Sequence, residues 1–135
     1  MNKARSPGLA SGQARALTSF GVSKGLTTAQ CLNATDIPPQ NFFDRDWEVT
    51  ITQEIQIIEN IINNIDEKPY ALGFEAGYKS NLNAYGLIGQ SILSSPNISE
   101  ALSVASRYAK SSFHFVNVRV EQEGSLAKII FELQI

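Results

Sequence analysis

The sequence has few of the residues that build disulfides, metal clusters and nucleophilic sites. Its 135 residues include one cysteine, Cys31, and one histidine, His114. A single cysteine excludes an internal disulfide and a cysteine-based zinc cluster, and it suits a reducing compartment. The spacing leaves a Cys31–His114 nucleophilic pair open, but no oxyanion loop or other catalytic signature supports it. We expect His114 to be a buried ring at the start of a strand, and we predict no enzyme activity, no cofactor and no bound metal.

Long apolar runs and a strong net charge are also missing. No stretch approaches the roughly 18–20 apolar residues of a membrane span. The positively charged N-terminus lacks the apolar segment of a secretion signal. A net charge of −2 gives no general attraction to nucleic acid or to an anionic membrane. These absences predict a cytoplasmic protein that has no membrane partner.

The charges that are present divide by sign along the chain. Residues 36–67 hold eight acids and one base, whereas the residues before them carry only cations: Lys3, Arg5, Arg15 and Lys24. Residues 1–12 are rich in Ser, Gly and Pro, so we predict a disordered basic tail there and a single domain over residues 13–135. A nucleic-acid contact by the tail is the alternative, but its cations lack interleaved aromatic residues.

The strongest periodic signal predicts a helix between residues 49 and 65. Thr50 and Gln53 form a capping-box pattern at its start, because each side chain can bond the main-chain N–H of the other residue. Isoleucines recur at steps of three and four along one helical face: Ile51, Ile55, Ile58, Ile62 and Ile65. Ile57 and Ile61 widen this stripe, and we expect most of it to be core. The alternative is a dimerisation surface formed by Ile51, Ile55, Ile58 and Ile62.

Two shorter helices are predicted before it, over residues 14–20 and 27–33, and Gly21 offers a stop for the first. Two prolines after Ile37 make the next segment extended, because proline removes a donor and restricts the residue before it. The aromatic residues of this connection are too apolar for a free linker, and we expect them to pin it onto the core: Phe42, Phe43 and Trp47.

Residues 72–110 combine small residues with helix signals. Four glycines fall within predicted helical segments: Gly73, Gly77, Gly86 and Gly89. Glycine inside a helix costs about 1 kcal/mol relative to alanine, so we expect these glycines to allow the close approach of another helix. Asn97 and Glu100 form a second capping-box pattern, and the helix that they begin is expected to end near Ser111.

After residue 113 the hydrophobic pattern repeats every two residues, as in a strand. Three valines alternate with polar residues, a second alternating segment begins at Ala127, and residues 123–125 form the turn between them. The sequence therefore predicts an α+β fold, with N-terminal helices packed on a C-terminal antiparallel hairpin or small sheet. A lone hairpin is marginal in water, and the chain stops in mid-strand. We therefore expect a truncated chain whose hairpin gains further strands, leans on the helices or pairs with a neighbour.

A cation and three tyrosines surround the small-residue segment: Arg107, Tyr78, Tyr85 and Tyr108. A planar cation among amphipathic rings is typical of ligand pockets, so these four residues predict a ligand-binding site. The alternative is that the tyrosines cap the core and that Arg107 pairs with an acid.

Five short motifs follow one another in this part of the chain. They read Leu72-Gly73-Phe74 with Gly77, Gly86-Leu87-Ile88-Gly89, Ser94-Ser95-Pro96-Asn97, Glu100-Ala101-Leu102 and Arg107-Tyr108. The series resembles the N-terminal regulatory domain of AraC-type transcription regulators, in the group labelled arabinose-binding. The resemblance covers about residues 17–135. One departure is Asn97, where the family usually has threonine, and asparagine keeps the helix cap.

The resemblance implies an effector-sensing and dimerising domain that controls a C-terminal helix-turn-helix DNA-binding domain, which this chain does not contain. DNA would be bound only through that missing domain. The implied partners are a small-molecule effector of unspecified class and a second copy of the chain. Two alternatives stay open. One is a protein-interaction module without a small ligand, and the other is an enzyme, which would need a cleft that places His114 beside Cys31 or an acid.

Overall fold

The computed structural model describes residues 7–45, 47–112 and 116–133. Along these residues the elements are α1 (Pro7–Ser23), α2 (Thr28–Cys31), α3 (Ile51–Asn64), α4 (Pro69–Lys79), a 3-10 helix (Leu82–Tyr85), α5 (Gly86–Leu93), α6 (Ile98–Ser112), β1 (Val116–Glu123) and β2 (Leu126–Leu133). The predicted α+β class, with helices before an antiparallel hairpin, is confirmed. His114 lies outside the described residues, as do residues 1–6 of the predicted tail, whereas residues 7–12 belong to α1.

The first helix does not stop at Gly21. It runs on to Ser23, and the turn that follows contains Gly25, whose φ of +101° suits glycine alone. A Cβ on Gly21 would lie 2.6 Å from the Cys31 sulfur and 3.1 Å from the Ile61 side chain. The prediction of a stop at Gly21 is therefore wrong. Its missing side chain allows α1 to pack closely against Cys31 and Ile61, and Gly25 supplies the turn.

The core lies where α1, α2, α3 and the connection before α3 meet. On α3 the buried isoleucines are Ile57 and Ile61. The other residues of the predicted stripe lie further out, with Ile51 exposed and the rest half-buried: Ile55, Ile58, Ile62 and Ile65. The expectation that the stripe is mostly core is confirmed for Ile57 and Ile61 and is wrong for Ile51, whereas Ile65 packs partly buried against the core. Isoleucines cover more than one side of α3, and the packing of α1 and α2 decides which side is buried.

Aromatic side chains hold the connection between α2 and α3 against the core. This was predicted for three aromatic residues and is confirmed for two of them. Phe42 is fully buried, and Trp47 packs partly buried against the core. The guanidinium carbon of Arg45 lies 4.1 Å from the Trp47 ring centroid, a cation–π contact. Phe43 remains 44% exposed and touches Phe42 edge to face, with ring centroids 5.1 Å apart. The prediction that Phe43 also anchors the connection is therefore wrong.

The four glycines of the small-residue segment have different structural roles. A Cβ on Gly89, in α5, would overlap the carbonyl oxygen of Leu82, so the predicted close approach is confirmed there, with the 3-10 helix as the neighbour. Among the described residues, nothing lies within 4 Å of a Cβ placed on Gly73, Gly77 or Gly86. For Gly73 and Gly77 the packing explanation is wrong. Gly86 has a different reason, because its φ of +59° lies in the region that favours glycine.

Helix caps follow the sequence closely. At the start of α3, the Gln53 N–H donates to Thr50 Oγ1 at 3.2 Å, and the Thr50 N–H donates to Gln53 Oε1 at 2.9 Å. At the start of α6, the Glu100 N–H donates to Asn97 Oδ1 at 2.9 Å. The predicted capping box of α3 is confirmed, and the Asn97 half of the pattern predicted for α6 is confirmed, because each bond needs only residues that are three apart in the chain.

The Asn97 cap gives a first testable prediction. Asn97→Ala should lower the free energy of unfolding by about 1 kcal/mol, because it leaves an N–H group at the start of α6 without its acceptor. Asn97→Thr should cost much less, because the hydroxyl can accept the same hydrogen bond. Urea unfolding followed by far-ultraviolet circular dichroism measures both values. Equal losses for the two variants would contradict the capping role.

Lys24 joins the end of α1 to α4 and to the segment before α4. Its ammonium lies 2.6 Å from Glu67 Oε2 and donates to Glu75 Oε2 at 2.8 Å, and Lys79 donates to the other Glu75 oxygen at 2.7 Å. Hydrogen bonds from Lys24 and then Lys79 hold the pKa of the Glu75 carboxyl below its usual value. Hydrogen bonds to Glu67 and then Glu75 raise the pKa of Lys24.

Replacing Lys24 with methionine should therefore lower the melting temperature in a pH-dependent way. The folded pKa of Glu75 is depressed, so its contribution is present above the ordinary value of 4.5 and is lost as pH falls through the folded value. The folded pKa of Lys24 is raised, so its contribution is present below 10.5 and is lost above it. Thermal unfolding at several pH values should show the largest deficit between these limits.

The matched control for this prediction is Lys68→Met, which removes an exposed lysine at the start of α4. Its melting temperature should track that of the unchanged chain at every pH. A deficit in Lys24→Met that does not shrink as pH falls well below 4.5 would contradict the proposed ion-pair origin, because the contribution of Glu75 is lost as pH falls through its lowered pKa.

The chain ends in the predicted hairpin. Val116 pairs with Leu133 at the open end, and Glu123 pairs with Leu126 beside the turn, where Gly124 has a φ of +59°. Directly paired residues share a face, so the β1 valines lie with Ile129, Phe131 and Leu133. Helix α6 packs against β1. Because α6 packs mainly against β1, β2 lies on the outer side of the hairpin in the described fold.

Candidate ligand-binding and association surfaces

The four residues predicted to bind a ligand lie on three elements. Tyr78 is on α4 and is 84% exposed, whereas Arg107 and Tyr108 are exposed on the last turns of α6. Tyr85 ends the 3-10 helix, and its side chain lies outside the described part of the structure. Because α5 packs against both the 3-10 helix and α6, it links the elements that carry Tyr85, Arg107 and Tyr108. Their joint role in ligand binding stays a prediction.

A cleft of about 250 Å³ lies between α2 and the end of α3. It is lined by Ala29 and by three amide side chains: Gln30, Asn33 and Asn64. Amides offer both donors and acceptors without charge, so this cleft suits water or a very small neutral polar group. Its volume is below the roughly 300–1,000 Å³ of ordinary ligand pockets.

The buried Asn60 side chain bonds α2 and the residues that follow it to α3. Its Nδ2 donates to the carbonyl oxygens of Cys31 at 2.9 Å and Asn33 at 2.7 Å, and Gln56 donates to its Oδ1 at 3.0 Å. The Asn64 side chain donates to the Asn60 carbonyl at 2.8 Å. This network was not predicted from the sequence, although amides at steps of four, Gln56, Asn60 and Asn64, indicate it.

A second cleft, of about 190 Å³, lies between the start of α6 and the turn end of the hairpin. Apolar and small polar side chains line it: Ile98, Ser99, Leu102, Val120, Gln122, Ser125, Leu126 and Ala127. Neither cleft is lined by Tyr78, Arg107 or Tyr108. A ligand at these three residues would therefore sit on an open surface or need a rearrangement of α4 and α6.

The polar face of the hairpin is organised around Glu132. Its Oε1 accepts from Arg119 Nη2 at 3.0 Å, and its Oε2 accepts from Asn117 Nδ2 at 3.2 Å. Arg119 also pairs with Glu121 on its own strand. The hydrogen bond from Asn117, followed by that from Arg119, keeps the pKa of Glu132 below its usual value. Glu132 is therefore a fixed negative charge at neutral pH.

Large apolar side chains are exposed on α3 and β2, and also on α4, α5 and α6, where they are Tyr70, Phe74, Leu87, Leu93 and Ile98. On α3, Ile51 is exposed and Ile55, Ile58 and Ile62 are half-buried, which leaves the predicted dimerisation role of these four residues open. On β2, Phe131 and Leu133 are each 69% exposed. Single exposed apolar residues are normal, but contiguous ones mark interaction surfaces.

In the described ranges, no group of three or more His, Cys, Asp or Glu side chains could hold a metal ion. None of the helices in residues 7–45 and 47–112 is both long and apolar enough to cross a membrane. The chemically distinctive features of the described surface are therefore its amide cleft, its ion pairs and its apolar patches.

Comparison with known proteins gives a consistent result. A family model described as the N-terminal arabinose-binding domain of AraC transcription regulators matches residues 25–135. Two similar proteins are uncharacterised helix-turn-helix-type transcriptional regulators, one from Mycobacterium bovis and one from Mycobacterium tuberculosis. Each is 28% identical over 94 residues, which are 70% of this chain and 27% of the relative. The match therefore spans about a quarter of the length of these relatives. No solved structure matches the chain significantly.

Proposed function

Because this chain belongs to the family of N-terminal arabinose-binding domains of AraC transcription regulators, we propose that it senses a small-molecule effector and self-associates within a transcriptional regulator. The family match over residues 25–135 carries this proposal. The helix-turn-helix-type relatives support a protein in which DNA is bound by a domain outside this chain, C-terminal to it. Residues 13–135 would then act as the regulatory domain of a cytoplasmic regulator. The family is one of regulatory domains and not a class of enzymes.

For the effector, we propose the surface formed by Tyr78, Tyr85, Arg107 and Tyr108. The support is chemical. Arg107 is an exposed planar cation and is followed on α6 by the exposed Tyr108. A guanidinium can hold a carboxylate, and a tyrosine ring offers an amphipathic surface to a polar ring. The family description names arabinose, but an amino acid, a fatty acid or another sugar would also find partners in this set.

Isothermal titration against a panel of sugars, amino acids and fatty acids tests the effector site. Arg107→Ala should weaken the binding of an anionic or polar ligand about tenfold or more, because it removes a charge-assisted hydrogen bond. The matched control is Lys68→Ala, which removes a cation on α4 and should bind normally. Unchanged affinity in Arg107→Ala would remove Arg107 from the site, and a chain that binds no compound of the panel would favour the second candidate.

The second candidate is a self-association module without a small ligand. The apolar surface on α3 and on β2 favours it, because both patches lie outside the core. Sedimentation velocity over a wide concentration range tests self-association directly, and Ile58→Lys tests the contribution of the α3 isoleucines. A dimer that Ile58→Lys dissociates, while its circular dichroism spectrum stays unchanged, would assign the interface to α3. A monomer at every concentration would contradict self-association in either candidate.

A further inference from the structure

Helix α4 has its charged side chains on the side that faces the core and its aromatic side chains on the side that faces away. With 3.6 residues per turn, its aromatic residues lie along one side, and all are largely exposed: Tyr70, Phe74 and Tyr78. Glu75 and Lys79 lie on the opposite side, together with the buried Leu72. A surface helix usually has the reverse arrangement, with its apolar side toward the core. The attachment of α4 therefore depends on charged groups as well as on apolar packing.

The apolar part of this attachment is small. Leu72 is the one buried residue of α4, and Ala76 packs half-buried against the same core. In the described fold every other helix packs extensively against a neighbouring element, whereas α4 does not. Local stability is low where a segment has few buried apolar contacts. We therefore expect α4 to separate from the core more easily than α1 or α3.

The sequence of α4 also gives it little helical stability of its own. Isolated helices shorter than about 12–15 residues are marginal in water, and α4 has 11 residues. Gly73 and Gly77 are poor helix formers. Lys68, the residue that precedes the helix, makes no side-chain cap bond, whereas α3 begins with a complete capping box. The helical order of α4 thus depends on its attachment to the core.

Lys24 holds α4 through two acids. Its N–H donates to the Phe20 carbonyl at 3.1 Å, so its backbone continues the end of α1. Its ammonium contacts Glu67 just before α4 and Glu75 within α4. The Lys24 side chain is only 18% exposed, and partly buried ion pairs are screened by salt less than exposed ones. Lys24, Glu67 and Glu75 are named the Lys24 cluster below.

The backbone is extended on both sides of α4. Ile65 and Lys68 before the helix, and Ser80 and Asn81 after it, all have β-region angles. Loop and element-terminal residues of this kind absorb the angle changes of a hinge motion. Both ends of α4 can therefore pivot without unwinding α3 or the 3-10 helix.

We propose that α4 detaches from the core as a unit while α1, α2 and α3 stay folded, and that the Lys24 cluster holds it in the attached position. The detachment itself is independent of the proposed function, and its consequence for regulation rests on that function. Tyr78 lies on α4, whereas Arg107 and Tyr108 lie on α6, so detachment changes the distance between groups proposed to bind the effector. An effector that contacts both helices would favour one of the two positions of α4.

Hydrogen–deuterium exchange of the intact chain, followed segment by segment by mass spectrometry, tests the detachment. The α4 amides should exchange about a hundredfold faster, or more, than those in the middle of α3. Ile57→Val is the decisive variant. It should speed exchange in α3 about two- to tenfold, because it weakens the core, and leave exchange in α4 unchanged, because Ile57 stays buried when α4 is detached. Equal acceleration in both helices would show that α4 opens only when the whole chain unfolds, and would overturn the proposal.

Lys24→Met tests the role of the Lys24 cluster. It should speed exchange in α4 about threefold or more, because both ion pairs of Lys24 are lost. High salt should speed exchange in α4 of the unchanged chain and much less in Lys24→Met, since the variant lacks the pairs that join α4 to the end of α1. The control is Lys68→Met, which removes an exposed lysine beside α4 and should exchange like the unchanged chain. Exchange in α4 that responds neither to Lys24→Met nor to salt would overturn the role of the cluster.

The outcomes separate the detachment from the proposed function. Fast exchange in α4 that is unaffected by Ile57→Val supports the detachment, whether or not a compound of the titration panel binds. A panel in which no compound binds contradicts the proposed effector role and leaves the exchange result standing. Exchange in α4 that always follows exchange in α3 overturns the detachment and leaves the titration unaffected.

Discussion

Replacing Gly89 with alanine is expected to lower the free energy of unfolding by about 1–3 kcal/mol or more. A methyl group at this position would overlap the carbonyl oxygen of Leu82. Backbone cannot move aside as a flexible side chain can, so the 3-10 helix and α5 would have to separate. Helix α6 packs against α5 and β1, so the disturbance should also weaken the attachment of the hairpin. Chemical denaturation followed by circular dichroism measures the loss.

The matched control is the same substitution at Gly73. Among the described residues, nothing lies within 4 Å of a Cβ at this position in α4, and alanine is the better helix former. Gly73→Ala should therefore raise the free energy of unfolding by about 0.5–1 kcal/mol. Each variant differs from the unchanged chain by one methyl group, and the two should change the free energy of unfolding in opposite directions. Two losses of similar size would show that α4 and α5 pack differently from the arrangement described above.

Ile57→Ala should give the second large effect, a loss of about 2–5 kcal/mol in the free energy of unfolding. Ile57 is fully buried in the core that α3 shares with α1 and α2. Truncation removes apolar contacts and leaves a cavity that rigid neighbouring helices cannot fill completely. Equilibrium unfolding in urea measures this loss. If the dependence of the free energy of unfolding on urea concentration is unchanged, unfolding exposes the same amount of surface in the variant and in the unchanged chain.

Ile51→Ala is the control on the same helix. Ile51 is exposed at the first turn of α3, so its truncation should cost about 0.5 kcal/mol or less, as for ordinary surface positions. If Ile51→Ala proved as costly as Ile57→Ala, Ile51 would belong to the core, as the isoleucine periodicity predicted, and not to the surface, where the structure has it.

The candidate site was predictable only in part. The motif series from Leu72 to Tyr108 led to the correct family, because short motifs in fixed order survive as a readable pattern. The proposed ligand residues were chosen by side-chain type. Side-chain type does not predict whether residues of α4 and α6 lie close together in the fold.

The sequence by itself determined the features that depend on neighbours a few residues away. The Thr50–Gln53 and Asn97–Glu100 caps, the turn at Gly124 and the order of helices before a hairpin all follow from local hydrogen bonds and local periodicity. Tertiary structure alone decided which side of α3 is buried, why Gly89 has a packing role that Gly73 lacks, and why β2 is exposed. Burial depends on which distant segments pack against a residue, and the period of a helix or strand carries no information about those segments.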